Sequence, residues 1–280
     1  MILIDSHCHI DGEKFDRDRD EVVKRAIDAG VGLMLNIGTG DPHSDDFRRA
    51  VAVAEKYPNV FTSVGVHPHD AKLYDDKAEE HLIELVKSSE KVIAWGEIGL
   101  DFHYDHSPRD VQMDVFRRQI RVARTLHLPI IVHSREANDE TVAILKEECS
   151  DDDFRGGIMH CFGGTLEMVQ ELVLLGFLIS FAGNVTFKNA DNLREVAEIL
   201  QLNRMLVETD CPFLTPEPLR GKRNEPSFVV HTANFLTELC EIEIEAFADQ
   251  TTENFLNFFN MEFRDCTPKL REGKYSTLDY

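Results

Sequence analysis

Two histidines one residue apart open the chain, in Ile4-Asp5-Ser6-His7-Cys8-His9. The residues before them, Ile2, Leu3 and Ile4, are apolar and favour a strand. Side chains alternate along a strand, so His7 and His9 share one face while Cys8 takes the other. Two imidazoles so placed can share a metal ion. Alone they would read as ordinary surface histidines. What changes the reading is the end of each later apolar run: Val64-Gly65-Val66-His67-Pro68-His69, Gly96-Glu97-Ile98-Gly99-Leu100-Asp101, Ile130-Ile131-Val132-His133-Ser134-Arg135, Gly157-Ile158-Met159-His160-Cys161-Phe162 and Val207-Glu208-Thr209-Asp210-Cys211-Pro212. One histidine after a strand is usually a hydrogen-bonded core residue, but recurrence at strand after strand is not explained that way. His7, His9, His133 and His160 with Glu97 and Asp210 supply imidazoles and carboxylates, a donor set for borderline divalent metals. Six ligands exceed the needs of one tetrahedral ion. A bridging carboxylate would let them hold two, the arrangement that clamps the attacking and leaving oxygens of a phosphoester.

Such residues need elements that bring them to one place. Strand patterns lie near 2–7, 32–37, 60–66, 91–98, 129–133, 156–161, 177–181 and 204–209, separated by helical stripes such as Val22, Val23, Ala26 and Ile27. Gly30 and Gly176 are placed to end helices, and Ser107-Pro108 to open one as cap and first residue. Eight strands alternating with helices predict an α/β fold, a (β/α)8 TIM barrel with the metal site at the C-terminal ends of the strands. An open doubly wound sheet would carry a glycine-rich loop after its first strand, where this chain has His-x-His. The last barrel helix is expected over Ser227–Cys240, with further helix to about Asn260. Residues 1–260 are read as one hydrolase domain and 261–280 as a C-terminal tail, strapped to the surface or disordered.

At 280 residues the length suits one such barrel. Six scattered cysteines without a Cys-x-x-Cys argue against a disulfide framework or a zinc ribbon and fit a reducing compartment. No apolar run nears the roughly 18 residues of a membrane span, and no leader pattern stands at the N-terminus, so a cytoplasmic location is expected. The formal charge of −21 excludes a non-specific nucleic-acid coat protein. A polyanionic substrate would need a local basic patch or a bound cation.

His7-x-His9, Gly96-Glu97-Ile98-Gly99-Leu100-Asp101, the lone His133 and His160, and Glu208-Thr209-Asp210 resemble the TatD family of metal-dependent deoxyribonucleases, one branch of the amidohydrolase-type TIM barrels. The resemblance runs from about residue 1 to 258 and takes in His133-Ser134-Arg135-Glu136-Ala137, His160-Cys161-Phe162-Gly163-Gly164 and Arg220-Gly221-Lys222-Arg223-Asn224-Glu225-Pro226. It implies that His7, His9 and Asp210 hold a first metal, that Glu97 bridges, and that His133 and His160 hold a second. A metal-bridging water would be the nucleophile, oriented and deprotonated by Asp210, so Asp210 and Glu97 are the catalytic candidates. The cofactors implied are two divalent ions, with Zn, Mg or Mn as candidates, and the substrate is DNA, cleaved from single strands or ends. Where many amidohydrolase-type barrels place a bridging lysine, this chain has Glu97.

Around that set, Arg220, Lys222 and Arg223 form a basic cluster about Gly221 in an acidic chain, read as a phosphate-holding loop. Arg135 can fork onto a phosphate oxygen. Lys188 is a weaker candidate of the same kind. His67 is expected to hydrogen-bond substrate or a metal-bound water, and Asp101 to support or cap rather than ligate. Phe102, Tyr104 and Phe213 lie near the expected mouth and could stack bases. Cys161 and Cys211 are expected to be turned away by strand alternation. The alternative functions are hydrolysis of a small amide, lactone or phosphoester on the same metals, which the charge suits better, and a metal-binding scaffold with no reaction. No membrane and no obligate protein partner are implied.

Overall fold

The computed structural model describes residues 1–150 and 154–271. Strands and helices alternate: β1 (Leu3–Cys8), α1 (Arg19–Asp28), β2 (Val31–Gly38), α2 (Asp46–Lys56), β3 (Val60–Val64), α3 (Asp76–Ser88), β4 (Val92–Asp101), α4 (Arg109–Thr125), β5 (Ile130–Arg135), α5 (Asn138–Glu148), β6 (Gly157–Met159), α6 (Leu166–Leu174), β7 (Leu178–Phe181), α7 (Asp191–Ile199), β8 (Met205–Val207), α8 (Val229–Leu239) and α9 (Ile244–Phe258). The strands pair in chain order, every pair parallel. Backbone bonds from Asp210 N to the His7 carbonyl and from His9 N to the Cys211 carbonyl, both 2.9 Å, join the first strand to the last. The expected (β/α)8 barrel is formed. Its closing seam is made by the segments that carry His7, His9 and Asp210.

Side-chain alternation fills the inside of the barrel. Ile4, Leu33, Leu35, Ile37, Phe61, Ile131, Ile158, Leu178 and Leu206 are buried in one cluster with Phe255 and Phe259 from the end of α9. The other strand faces pack against the helices, as Trp95 does, whose indole N–H donates to Gln119 on α4. Gly176, with φ +84, follows α6 as expected. Ser107 does not cap α4. Pro108 stands at the cap position, and the Ser107 hydroxyl donates to the His69 carbonyl and accepts from the Lys72 amide, tying the β3 loop to the β4 loop.

Residues 261–271, which carry no strand pattern in the sequence, hold an antiparallel hairpin, β9 (Met261–Arg264) and β10 (Thr267–Leu270). Met261 is fully buried beside Phe255 and Phe259. The hairpin therefore contributes to the core at the end of the barrel opposite the site. The rest of the expected tail, 272–280, lies outside the described residues.

Candidate metal centre

At the C-terminal ends of the strands, side chains from β1, β4, β5 and the turns after β6 and β8 converge on Glu97. Strict alternation would give Glu97 the outward face of Trp95. A register shift between Gly96 and Ile98 in the β4–β5 pairing breaks the alternation at Glu97, and a bulge of this kind re-aims a side chain. Glu97 is 4% exposed and enters the barrel mouth. Its Oε1 lies 2.9 Å from both His133 Nδ1 and His160 Nε2, and its Oε2 lies 3.5 Å from His7 Nε2. Asp210 Oδ1 completes the other side, 3.4 Å from His9 Nε2 and 3.8 Å from His7 Nε2.

Two imidazole pairs bring ring nitrogens close together: His7 Nε2 and His9 Nε2 at 3.3 Å, and His160 Nε2 and His133 Nδ1 at 3.4 Å. Donor atoms about 2.0–2.2 Å from a common ion sit roughly 3–3.5 Å from one another, so these spacings fit metal ligands. Three groups of residues have such mutual spacing: His7, His160 and Asp210; His7, His9 and Glu97; and His67, Glu97 and His133. The cluster can hold divalent metal at the strand ends.

The outer ring nitrogens decide which nitrogen is free. His9 Nδ1 lies 3.0 Å from the Ile37 carbonyl, His160 Nδ1 3.1 Å from Glu208 Oε1, and His133 Nε2 3.1 Å from Asp101 Oδ2. Each can donate its proton outward and present a bare nitrogen inward. His7 lacks such an anchor, since its buried Nδ1 has no partner among the described residues; its ring is held instead by stacking on His160, with centroids 3.7 Å apart. His67 is different. Its Nδ1 accepts from the His69 amide, so its proton sits on Nε2, 3.5 Å from Glu97. It faces the centre as a hydrogen-bond donor.

Charge is balanced inside the cluster. Burial alone would raise Glu97, but His160 and His67 hold it well below the usual carboxylate range. Asp210 is likewise held low by His9 against its own burial. Burial lowers His67 to about 4, leaving it neutral, whereas Asp210 outweighs burial at His9 and lifts it to about 9. A divalent ion would replace the imidazolium protons in compensating these carboxylates.

Two supporting carboxylates went unassigned in the sequence. Glu208, fully buried, accepts from His160 and from the Cys161 amide. Asp5, also fully buried, accepts from the Thr209 amide and hydroxyl at 2.8 and 2.6 Å and so links β1 to the segment before Asp210. Burial pushes its carboxyl up to about 8 despite those donors. The available signal was proximity in sequence, two residues from His7 and from Asp210. Asp101 supports as expected, accepting from His133, His69 and the amides of His103 and Tyr104.

The expected substrate contacts divide. Arg223 does not face the centre, because its guanidinium is committed to Asp18 at 2.8 and 2.6 Å, to the Lys14 carbonyl and to the face of Phe15. Arg220 lies 3.8 Å over the Phe187 ring, Lys222 is exposed, and Arg135 lies 4.8 Å from the Tyr104 ring; none has a carboxylate partner among the described residues. Phe102 is buried under Arg109 and cannot stack a base. Tyr104 and Phe213, 51% and 53% exposed, are the exposed aromatic side chains among the described residues, and both flank the centre. Phe213 meets His9 edge-on, and Tyr104 meets His69. Cys161 is not turned away by alternation, since β6 ends at Met159 and Cys161 has φ +42. Burial and the neighbouring carboxylates of Asp210 and Glu208 push its thiol up, which keeps it protonated and a poor nucleophile.

The family model described as TatD related DNase matches residues 4–260. An uncharacterized metal-dependent hydrolase of Bacillus subtilis, YabD, is 44% identical over 93% of this chain and all of its own length. The 3'-5' ssDNA/RNA exonuclease TatD of Escherichia fergusonii is 32% identical over 93% of this chain and all of its own. The crystal structure of YjjV, a TatD homolog from Escherichia coli K12, superposes with a TM-score of 0.86 at 31% identity, covering 93% of this chain and 98% of that one. Among the described residues no helix is long and apolar enough to cross a membrane.

Proposed function

This chain belongs to the family of TatD-related DNases, and from that premise we propose that it is a metal-dependent phosphodiesterase that cleaves DNA from the ends of single strands. The observation that carries the reading is the position of Glu97, whose two oxygens face different ligand groups, His133 and His160 on one side and His7 on the other. A carboxylate so placed suits a pair of ions better than one. His7, His9 and Asp210 would hold the first and His133 and His160 the second. Divalent ions held there supply Lewis acidity toward a phosphoryl oxygen and lower the pKa of water.

The chain's own residues do the rest. Asp210, kept ionised by His9, would accept the proton of the water that attacks phosphorus, while the P–O bond to the leaving nucleotide breaks and its oxygen takes a proton from solvent. His67 Nε2–H points into the centre and can donate to a phosphoryl oxygen as charge develops there. Arg135, Arg220 and Lys222 provide cations at the mouth for flanking phosphates. The E. fergusonii relative, named for single-stranded DNA and RNA, supports a nucleic-acid strand as substrate.

The test is hydrolysis of end-labelled single-stranded DNA by metal-stripped protein resupplied with Mg, Mn or Zn, with Glu97→Ala prepared in parallel. Metal-restored cleavage that disappears in the variant supports the reading. No cleavage with any of the ions removes it.

A further inference from the structure

We propose that the hollow beside the metal centre, between the segments following β6, β7 and β8, is a subsite for the nucleotide next to the one being cleaved. The proposal rests on the phosphodiesterase reading above. The hollow has a volume of about 460 Å³, within the range of roughly 300–1,000 Å³ typical of ligand sites. Its lining includes Asn184, Phe187, Lys188, Asn192, Glu217 and Arg220.

Its walls begin at site residues. Gly163, three residues after His160, forms part of one wall, and Asn184 donates to Cys161 Sγ at 3.7 Å. Arg220 comes from the segment that leaves Asp210. This is the part of a (β/α)8 barrel, after the seventh and eighth strands, where phosphate groups are often bound.

The charges point to an anion. In a chain of 51 acidic and 30 basic residues, most arginines find a carboxylate, as Arg25, Arg109, Arg118, Arg121 and Arg223 do. Arg220 does not. Its guanidinium carbon lies 3.8 Å from the centre of the Phe187 ring, and the group makes one long bond, 3.4 Å, to the Thr215 carbonyl. Lys188 is exposed and has no partner among the described residues. Glu217 is the one carboxylate of the lining, so the hollow keeps a net positive charge.

The remaining groups suit a base. A guanidinium plane backed by an aromatic ring is a platform on which any base can stack. The side-chain amides of Asn184 and Asn192 each offer donors and an acceptor to a base edge. A small diester lacking a second nucleotide would use none of this. The subsite therefore favours a strand that extends past the scissile phosphate over any mononucleotide.

The experiment compares wild type with Lys188→Ala/Arg220→Ala, both exposed positions whose truncation should leave the melting temperature unchanged. The binding probe is a fluorescein-labelled phosphorothioate pentathymidylate, which resists hydrolysis, titrated by anisotropy at several salt concentrations. The variant should bind about tenfold or more weakly, and its log–log salt slope should fall by about 1.4, roughly 0.7 for each lost phosphate contact on a single strand. On the ordinary oligonucleotide the loss should appear in KM, with kcat retained. Equal binding and equal slope in the two proteins would overturn the subsite, even if both cleave DNA. Weaker binding by the variant, with no cleavage by either protein, would uphold the hollow as a strand-binding site and remove the phosphodiesterase reading.

Discussion

Replacing Glu208 by glutamine tests whether a carboxylate outside the ligand set controls one of the metal positions. Glu208 is fully buried, and its Oε1 accepts from His160 Nδ1 at 3.1 Å and from the Cys161 amide at 2.8 Å. Glutamine retains an acceptor oxygen and nearly the same volume but loses the charge that makes His160 a stronger ligand. Loss of such an orienting group typically costs about ten- to hundredfold in metal affinity, or about 1.4–2.7 kcal/mol at 1.36 kcal/mol per decade. Alanine would be less informative, since it orphans two buried donors at about 1–3 kcal/mol each and threatens folding. Competition with a chromophoric chelator for zinc, followed to two equivalents, reads both affinities. The variant should weaken the ion near His160 by that factor and leave the ion near His7 and His9 within about twofold. Unchanged affinities would refute the argument, and so would equal weakening of both ions.

Three further outcomes follow from other parts of the structure. Gly99→Ala would place a Cβ 2.0 Å from the His133 carbonyl at a φ of +142, so thermal melting should show a loss of about 2–3 kcal/mol together with weaker metal binding at His133. Arg25 holds Glu225 through two bonds of 2.8 and 2.6 Å; burial alone would raise the Glu225 carboxyl, but Arg25 and Ser227 hold it below its usual 4.5. Folding therefore gains stability from the ionised form above about pH 4.5 and loses it as pH falls through the lower folded value, so Arg25→Ala should cost about 1 kcal/mol at neutral pH, the half-exposed guanidinium being screened by solvent, and denaturant titrations should show that gap closing in acid. Hydrolysis of an oligonucleotide below KM should fall steeply with salt, with a log–log slope near −3 for four phosphate contacts, from Arg135, Lys188, Arg220 and Lys222, at roughly 0.7 each; a flat profile would favour a small uncharged substrate instead.

Much of the site was legible because a parallel barrel delivers every strand's C-terminal end to one face, so histidines far apart in sequence but each ending an apolar run converge. His133 and His160 could be placed on that argument alone. Glu97 could not be oriented, because its direction depends on a register shift against β5 that no local pattern records. Glu208 and Asp5 were invisible as supporting groups for a related reason: a buried carboxylate is identified by what it accepts from, and Thr209 lies across the barrel seam from Asp5 while His160 lies two strands from Glu208. The pairing of Arg223 was not legible because its partner, Asp18, comes from 205 residues away. Met261 reads as the start of a tail, yet a single buried side chain at the foot of the barrel makes its segment part of the core.

The central claim is that Glu97 joins two metal positions into one reactive centre. The direct measurement is a titration of metal-stripped protein with manganese or zinc, reading bound metal by elemental analysis and cleavage of end-labelled single-stranded DNA in the same samples, for wild type and Glu97→Ala. Activity that rises to a plateau at two ions per chain, with none in the variant, is the predicted result. Full activity at one ion per chain, or an active Glu97→Ala protein, would contradict the claim.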